Sequence, residues 1–221
     1  MTLKKEIGAL LQKDFRLELR QRYAINSILL YVVSTIFISY MAFQGEISLK
    51  SWNALFWIIM LFSAINALGK SFVQESPARH IYYYSMSSPQ AVIISKTIYN
   101  SLLMLLISIL TLGIYQMFLG NKIQDFGLFA GALVLGALGF ASVLTLVAAI
   151  ASRSHNNFAL MSILSFPLVL PLLLSLMKAS KMALEQAANG MAGWKILGTL
   201  FILNVIVITL SYILFPYLWR E

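Results

Sequence analysis

Charged residues in this chain come in bunches. Between them lie six windows free of Asp, Glu, Lys and Arg: residues 23–45, 51–69, 97–121, 126–152, 156–177 and 196–219. A hydrocarbon core about 30 Å thick takes roughly 20 helical residues to cross, and each window is of that order. Only helices or closed barrels satisfy every backbone group in lipid, and these runs lack the in–out alternation of barrel strands. The pattern predicts an all-α membrane protein forming a single transmembrane domain over residues 1–221. Its six transmembrane helices are expected at about 24–43, 52–69, 97–119, 127–152, 158–177 and 197–218.

The polar stretches between the spans have patterns of their own. Residues 1–23 predict an amphipathic interfacial helix, with Leu3, Ile7, Leu10, Leu11, Phe15, Leu17 and Leu19 on one broad side and Lys5, Lys13, Arg16 and Arg20 opposite. Asp14 and Glu18 intrude on the apolar side. Two readings stand: local pairing of Glu18 with Arg22 at i,i+4, or a polar anchor to a partner built from Asp14, Arg16 and Glu18. Residues 70–96 form the longest polar interruption, carrying Lys70, Glu75, Arg79, His80 and Lys96 with Pro77, Pro89 and the Tyr82–Tyr83–Tyr84 block. With Pro77 opening a turn, a short helix over about 76–86 is expected there, stopping before Pro89. Charges set register with a partner and tyrosines suit an interface core, so this loop reads as the place where a soluble partner acts; the other reading is a solvated loop whose tyrosines rest at the lipid headgroups.

Within the spans, the fourth is rich in small residues. Gly127 and Gly131 form G-x-x-x-G, and Ala132 with Gly136 repeats the spacing, which lets backbones approach closely in the bundle or at a dimer seam. Pro167 and Pro171 should kink or locally open the fifth. The segment 178–196 after it reads as too polar to span, lying on or dipping into the outer leaflet.

Composition agrees with the pattern: 60% of residues are apolar and 11% charged, and the mean hydropathy is +0.83, far from a soluble average. Orientation follows from the cations. Eleven fall on the N-terminal side, namely Lys4, Lys5, Lys13, Arg16, Arg20, Arg22, Lys70, Arg79, Lys96, Arg153 and Arg220, against five opposite, Lys50, Lys122, Lys178, Lys181 and Lys195. The positive-inside rule then puts both termini in the cytoplasm. The net charge of +8 reads as topology plus attraction to anionic membrane lipid, and nucleic-acid binding is the weaker reading. No cleavable signal is evident, because a long charged segment precedes the first run. Absence of cysteine excludes disulfides and thiolate chemistry.

Catalytic motifs are missing. Ala64–Ser71, AINALGKS, approaches a phosphate loop, but Ala64 replaces the first glycine and the run ends a spanning helix, so its own ATP hydrolysis is not expected. His80 and His155 are the only imidazoles open to heme or a metal, and loop histidines usually ligate neither; no metal site is expected. Asn66, Gln116 and Asn204 are polar positions within the spans, suited to interhelical hydrogen bonds or, as the alternative, to a substrate path. No span holds a central ionisable residue, which disfavours ion-coupled transport, and no paired carboxylates or H-E-x-x-H favour an enzyme.

What remains is a passive six-helix subunit. It resembles the permease subunits of exporter-type ABC transporters, and within them the heme exporter protein B family (CcmB) of cytochrome c maturation. KDFRLELRQRYA at 13–24, SPQAVIISKTIYN at 88–100 and SILSFPLVLPLLLSLMKA at 162–179 carry the resemblance. In the 2–3 loop, QESPARHIYYYSM keeps Glu75 but lacks the glycine and second glutamate common in the family. The resemblance implies an inner-membrane, ABC-2-type permease that pairs with a separate CcmA-like ATPase subunit, which holds the ATP. The coupling interface then falls on Phe72, Glu75, Arg79, Tyr83 and Tyr84. It also implies assembly, as a permease dimer or a heteromer, with CcmC- and CcmD-like subunits and a CcmE-like heme chaperone. Heme would be handled as substrate and not held firmly by this chain. The alternative is a generic ABC-2-type exporter permease for a lipid, polysaccharide or drug.

Overall fold

The computed structural model describes residues 3–20, 22–44, 46–69, 88–152, 157–185 and 190–220. Seven helices account for almost all of them: α1 (Leu3–Arg20), α2 (Arg22–Phe43), α3 (Leu49–Leu68), α4 (Pro89–Leu119), α5 (Phe126–Ala151), α6 (Asn157–Glu185) and α7 (Gly190–Arg220). Six of these, α2 to α7, are long and apolar enough to cross a membrane.

Helix ends are set by recognisable local chemistry. The Ser48 hydroxyl accepts the Ser51 N–H at 3.1 Å to open α3, and the Asp125 carboxylate accepts the Leu128 N–H at 3.0 Å to open α5. Pro89 occupies the first turn of α4, where its missing N–H costs nothing. Gly120, at φ 76° and ψ 157°, takes a positive-φ conformation open to glycine where α4 ends.

Three boundaries differ from the sequence reading, for one reason. Hydropathy marks the part of a helix that matches hydrocarbon, whereas backbone hydrogen bonding continues into polar turns. Thus α4 begins at Pro89, not near 97, so Lys96 belongs to a helix and not to the loop. Likewise α6 continues past 177 to Glu185, carrying Lys181 and Glu185 as an exposed i,i+4 pair at 3.7 Å. The outer segment 178–196 is therefore largely the end of α6 and the start of α7, with residues 186–189 outside the described set. Pro167 and Pro171 both lie inside α6, which runs through them as one helix without a break.

At its centre stands α5. Inside the bundle, 78% of its apolar window is buried, against 22% for α2 and for α7, so α5 is the axis and those two are the lipid-facing wall. The small residues explain how. A Cβ at Gly136 would lie 2.8 Å from the Trp57 ring and 3.0 Å from Leu176, and one at Gly139 would lie 2.7 Å from Leu172 and 2.9 Å from Asn204 Oδ1. At Gly131 it would meet only the end of Leu197, at 2.8 Å. Gly127 is exposed and would meet nothing within 4 Å but its own cap, Asp125, so it takes no part in this packing. The glycines that admit α3, α6 and α7 are thus 131, 136 and 139, the last not singled out from sequence because it sits three residues after Gly136 instead of four.

The end of the bundle opposite α1 is tied by buried aromatics. Trp52 packs edge-on to Tyr115 at 4.9 Å between centroids and at 5.9 Å from Phe129. Tyr115 Oη donates to the Trp52 carbonyl at 2.8 Å, and Trp52 Nε1 to the Gly120 carbonyl at 3.2 Å. One turn deeper, Trp57 Nε1 donates to Ser180 Oγ at 2.7 Å, and Asn53 Nδ2 to the Met177 carbonyl at 2.8 Å. The backbone N–H groups of Gln124 and Asp125 both donate to the Ala183 carbonyl, at 3.1 and 2.9 Å, fixing the α4–α5 link to α6. Each buried polar group named here has a partner, as an interior without water demands.

The glycine contacts yield a graded expectation. Gly139→Leu and Gly136→Leu force side chains into occupied space, at a cost of about 1–3 kcal/mol each, whereas Gly198→Leu meets nothing within 4 Å. In detergent, thermal unfolding followed by size-exclusion should show a clearly lowered midpoint for the first two and none for the third. An unchanged midpoint for Gly139→Leu would contradict the central role given to α5.

Candidate functional site

The acidic positions of α1 find their explanation in α4. Glu6 and Asp14 are two turns apart and point the same way. Glu6 Oε2 accepts both the N–H and the hydroxyl of Ser88, at 3.2 and 2.8 Å. Lys96 Nζ donates to Asp14 Oδ1 at 3.2 Å, and Lys13 Nζ lies 3.4 Å from the same oxygen. Both α1–α4 contacts join residues 82 apart in sequence, so the two helices run parallel and in register. Leu10 is buried between the two acids, and Val92 is buried between Ser88 and Lys96. The Phe15 ring meets Tyr99 edge-on at 5.4 Å.

Much of the side that the sequence assigns to lipid is therefore occupied by a helix. Asp14 meets Lys96 within the chain. Arg16 faces outward. Glu18 has its side chain outside the described set, and with it the pairing to Arg22.

The Asp14–Lys96 pair is nearly dry, with 5% and 7% exposure. Such a pair adds little net stability over apolar packing, and breaking a buried pair by removing one member generally costs about 3–5 kcal/mol; here Lys13 also stands beside the Asp14 carboxylate. Its value is geometric. At 1.5 Å per residue the 31 residues of α4 are about 46 Å long, well beyond the hydrocarbon thickness. Its length exceeds that of the layer, and α1 braces its first turns.

This docking stands at the edge of the 70–96 segment. The described chain leaves α3 at Gly69, where a Cβ would lie 3.2 Å from Met161 Sδ at the beginning of α6, and returns at Ser88 in the grip of Glu6. The intervening Phe72, Glu75, Arg79, His80, Tyr83 and Tyr84, together with the expected short helix at 76–86, lie outside the described residues, as does His155. Among the described residues no three His, Cys, Asp or Glu come together as a metal site would need.

Within the spans, Asn204 Nδ2 donates to the Leu135 carbonyl at 3.0 Å, joining α7 to α5. Among the described residues Gln116 reaches Asn121, at 3.5 Å, and Asn66 faces outward on α3. Two interhelical asparagines were not singled out by sequence reasoning. One is Asn53. The other is Asn100, one turn beyond Lys96, whose Nδ2 donates to Thr145 Oγ1 at 2.8 Å and ties α4 to the axis. Their spacing was the available signal: Asn53 with Trp57, and Lys96 with Asn100, stand at i,i+4 on one face.

The two hydrogen bonds from Ser88 hold the Glu6 carboxyl below the usual carboxylate range, the side-chain bond contributing most. A carboxylate with a depressed folded pKa contributes docking stability that is complete above its ordinary value, near 4.5, and lost as pH falls through the lower, docked value. A fluorophore on an engineered cysteine at the exposed Gly8 should report release of the start of α1 only below that range. Glu6→Gln should flatten the acid transition, and an identical transition in that variant would assign it to another group.

A family model described as CcmB protein matches residues 5–216, from the first turn of α1 nearly to the end of α7. A search of curated proteins returns no match. A match over almost the whole length, on an all-helical bundle with six span-length helices, settles the family. The chain belongs to the CcmB family, the heme exporter protein B family, and is a multi-pass membrane permease component of an ABC-type heme-export system of cytochrome c maturation, a system that includes an ATPase partner.

Proposed function

We propose that this chain converts ATP hydrolysis on a CcmA-like partner into movement of its bundle, and that this movement promotes heme export or release of a heme-loaded CcmE-like chaperone. The observation that supports it best is the α1–α4 brace. The chain re-enters the bundle at Ser88 onto a pair of parallel helices, so a push on residues 70–87 is delivered to α4 directly and to α1 through Glu6 and Asp14. From α4 it passes to the axis through Asn100 and Thr145.

The partner's contact falls on Phe72, Glu75, Arg79, Tyr83 and Tyr84, and ATP binds to the partner. In support, the backbone of the AINALGKS stretch up to Gly69 is used by α3, with the Gly69 N–H donating to the Ile65 carbonyl at 2.9 Å; a phosphate cradle needs such groups free. Heme is handled as substrate, with His80 and His155 as its only imidazoles in this chain. The chain sits in the inner membrane with both termini in the cytoplasm, on the ground of eleven Lys and Arg on that side against five. It assembles with CcmC- and CcmD-like subunits, as a permease dimer or heteromer.

The loop variants test this. Tyr83→Ala with Tyr84→Ala should insert normally yet lose most ATPase capture in a pull-down from detergent extracts, by roughly tenfold for a pair of interface tyrosines worth about 1–2 kcal/mol together. Arg79→Glu should act in the same direction, and turnover of the assembled complex should fall with capture. Normal capture and turnover in both variants would place the coupling elsewhere.

A further inference from the structure

We propose that Asp14 and Lys96 are a positioning pair that locks α1 to α4 in one register, so that α1 and the first turns of α4 move as a single two-helix body. The lock rests on geometry; its consequence for transport rests on the coupling reading above.

Apolar contact alone would leave the register loose. Ile7, Leu10, Leu11 and Leu17 recur along α1 at near-turn intervals, and a slip of α1 by one turn, about 5.4 Å, would present a similar apolar surface. The polar contacts oppose that slip in both directions: moved one way, α1 puts Leu10 opposite Lys96; moved the other, it puts position 18 there but leaves Ser88 facing Leu10 instead of Glu6. Either slip would part Asp14 Oδ1 from Lys96 Nζ, now 3.2 Å apart in a nearly dry site, and at the same stroke part Glu6 from Ser88. Two buried charges would lose each other together. An ion pair of this kind discriminates between registers far better than it adds stability.

The chain path gives the lock its reach. Only Gln21 separates Arg20, the last residue of α1, from Arg22, the first of α2. A body made of α1 and the beginning of α4 therefore pulls on two spans: α4, which bonds to the buried axis, and α2, on the lipid-facing wall. Without the lock, a push on residues 70–87 would reach α3 and α4, which they join, but would not carry α1 and α2 in register with α4.

The native chain has no cysteine, so an engineered pair reports cleanly. With Phe15→Cys and Tyr99→Cys in the full chain, whose native rings touch, a short bifunctional thiol reagent should bridge α1 to α4. Asp14→Lys or Lys96→Asp in that background should lower the bridged fraction at least threefold, and Asp14→Lys with Lys96→Asp should restore it to at least half. Should the charge-reversal variants fail to accumulate, Asp14→Asn serves, and a threefold loss is again expected. Wild-type bridging in Asp14→Asn, or no recovery in a well-accumulated double variant, would overturn the lock. Turnover of the ATPase complex, measured on the same variants without the cysteines, should fall and recover with bridging. Bridging that follows the charges while turnover stays constant would leave the lock standing and overturn the coupling reading.

Discussion

Lipid offers helices no hydrophobic reason to associate, since a leucine gains nothing by leaving acyl chains for another leucine. A six-span bundle therefore depends on close van der Waals approach and a few satisfied polar contacts. Here both converge on α5. Gly136 and Gly139 let Trp57, Leu172 and Leu176 reach the helix backbone. Asn100 and Asn204 supply the hydrogen bonds that bind α4 and α7 to it. The two ends of the bundle are finished differently: one by buried tryptophans and a stitched α4–α5 link, the other by an ion pair between two helices. The first is a closed cap of aromatic rings. The second joins α1 to the helix that follows residues 70–87, the segment proposed above to meet the ATPase partner.

That difference fits a permease component of the CcmB family. On the function proposed above, its task is to change shape when the ATPase partner acts, and that proposal puts the contact next to this ion pair. Asp14 and Lys96 are costly groups to bury, and they are tolerated because they face each other. On that proposal the subunit has no need of a catalytic constellation, only of a stiff path from the loop to the spans. Parallel packing of α1 on α4 provides one, since two helices side by side resist bending better than either alone.

The spans themselves were legible because exclusion of charge from hydrocarbon is a strong and local signal. Their ends were less so. Lys96, Lys178 and Lys181 look like the edges of spans, yet each lies inside a helix, for a lysine near a helix end is compatible with continued backbone hydrogen bonding. At the site, sequence showed that Asp14 was out of place on an apolar side but not what answered it, since a partner 82 residues away leaves no local trace. Gly131 and Gly136 were visible by small-residue spacing. Gly127 shared the spacing without the packing, because it stands at the exposed first turn of α5.

The account stands or falls on whether α1 belongs mechanically to α4. Spin labels at Gln12 on α1 and Ile98 on α4, both exposed positions, measure this directly in the ATPase-bound complex. The same separation should be found in the nucleotide-free and ATP-bound states, while Gln12 to the exposed Phe201 on α7 shifts between them. A Gln12–Ile98 distance that changes with nucleotide would show α1 moving on its own and contradict the account.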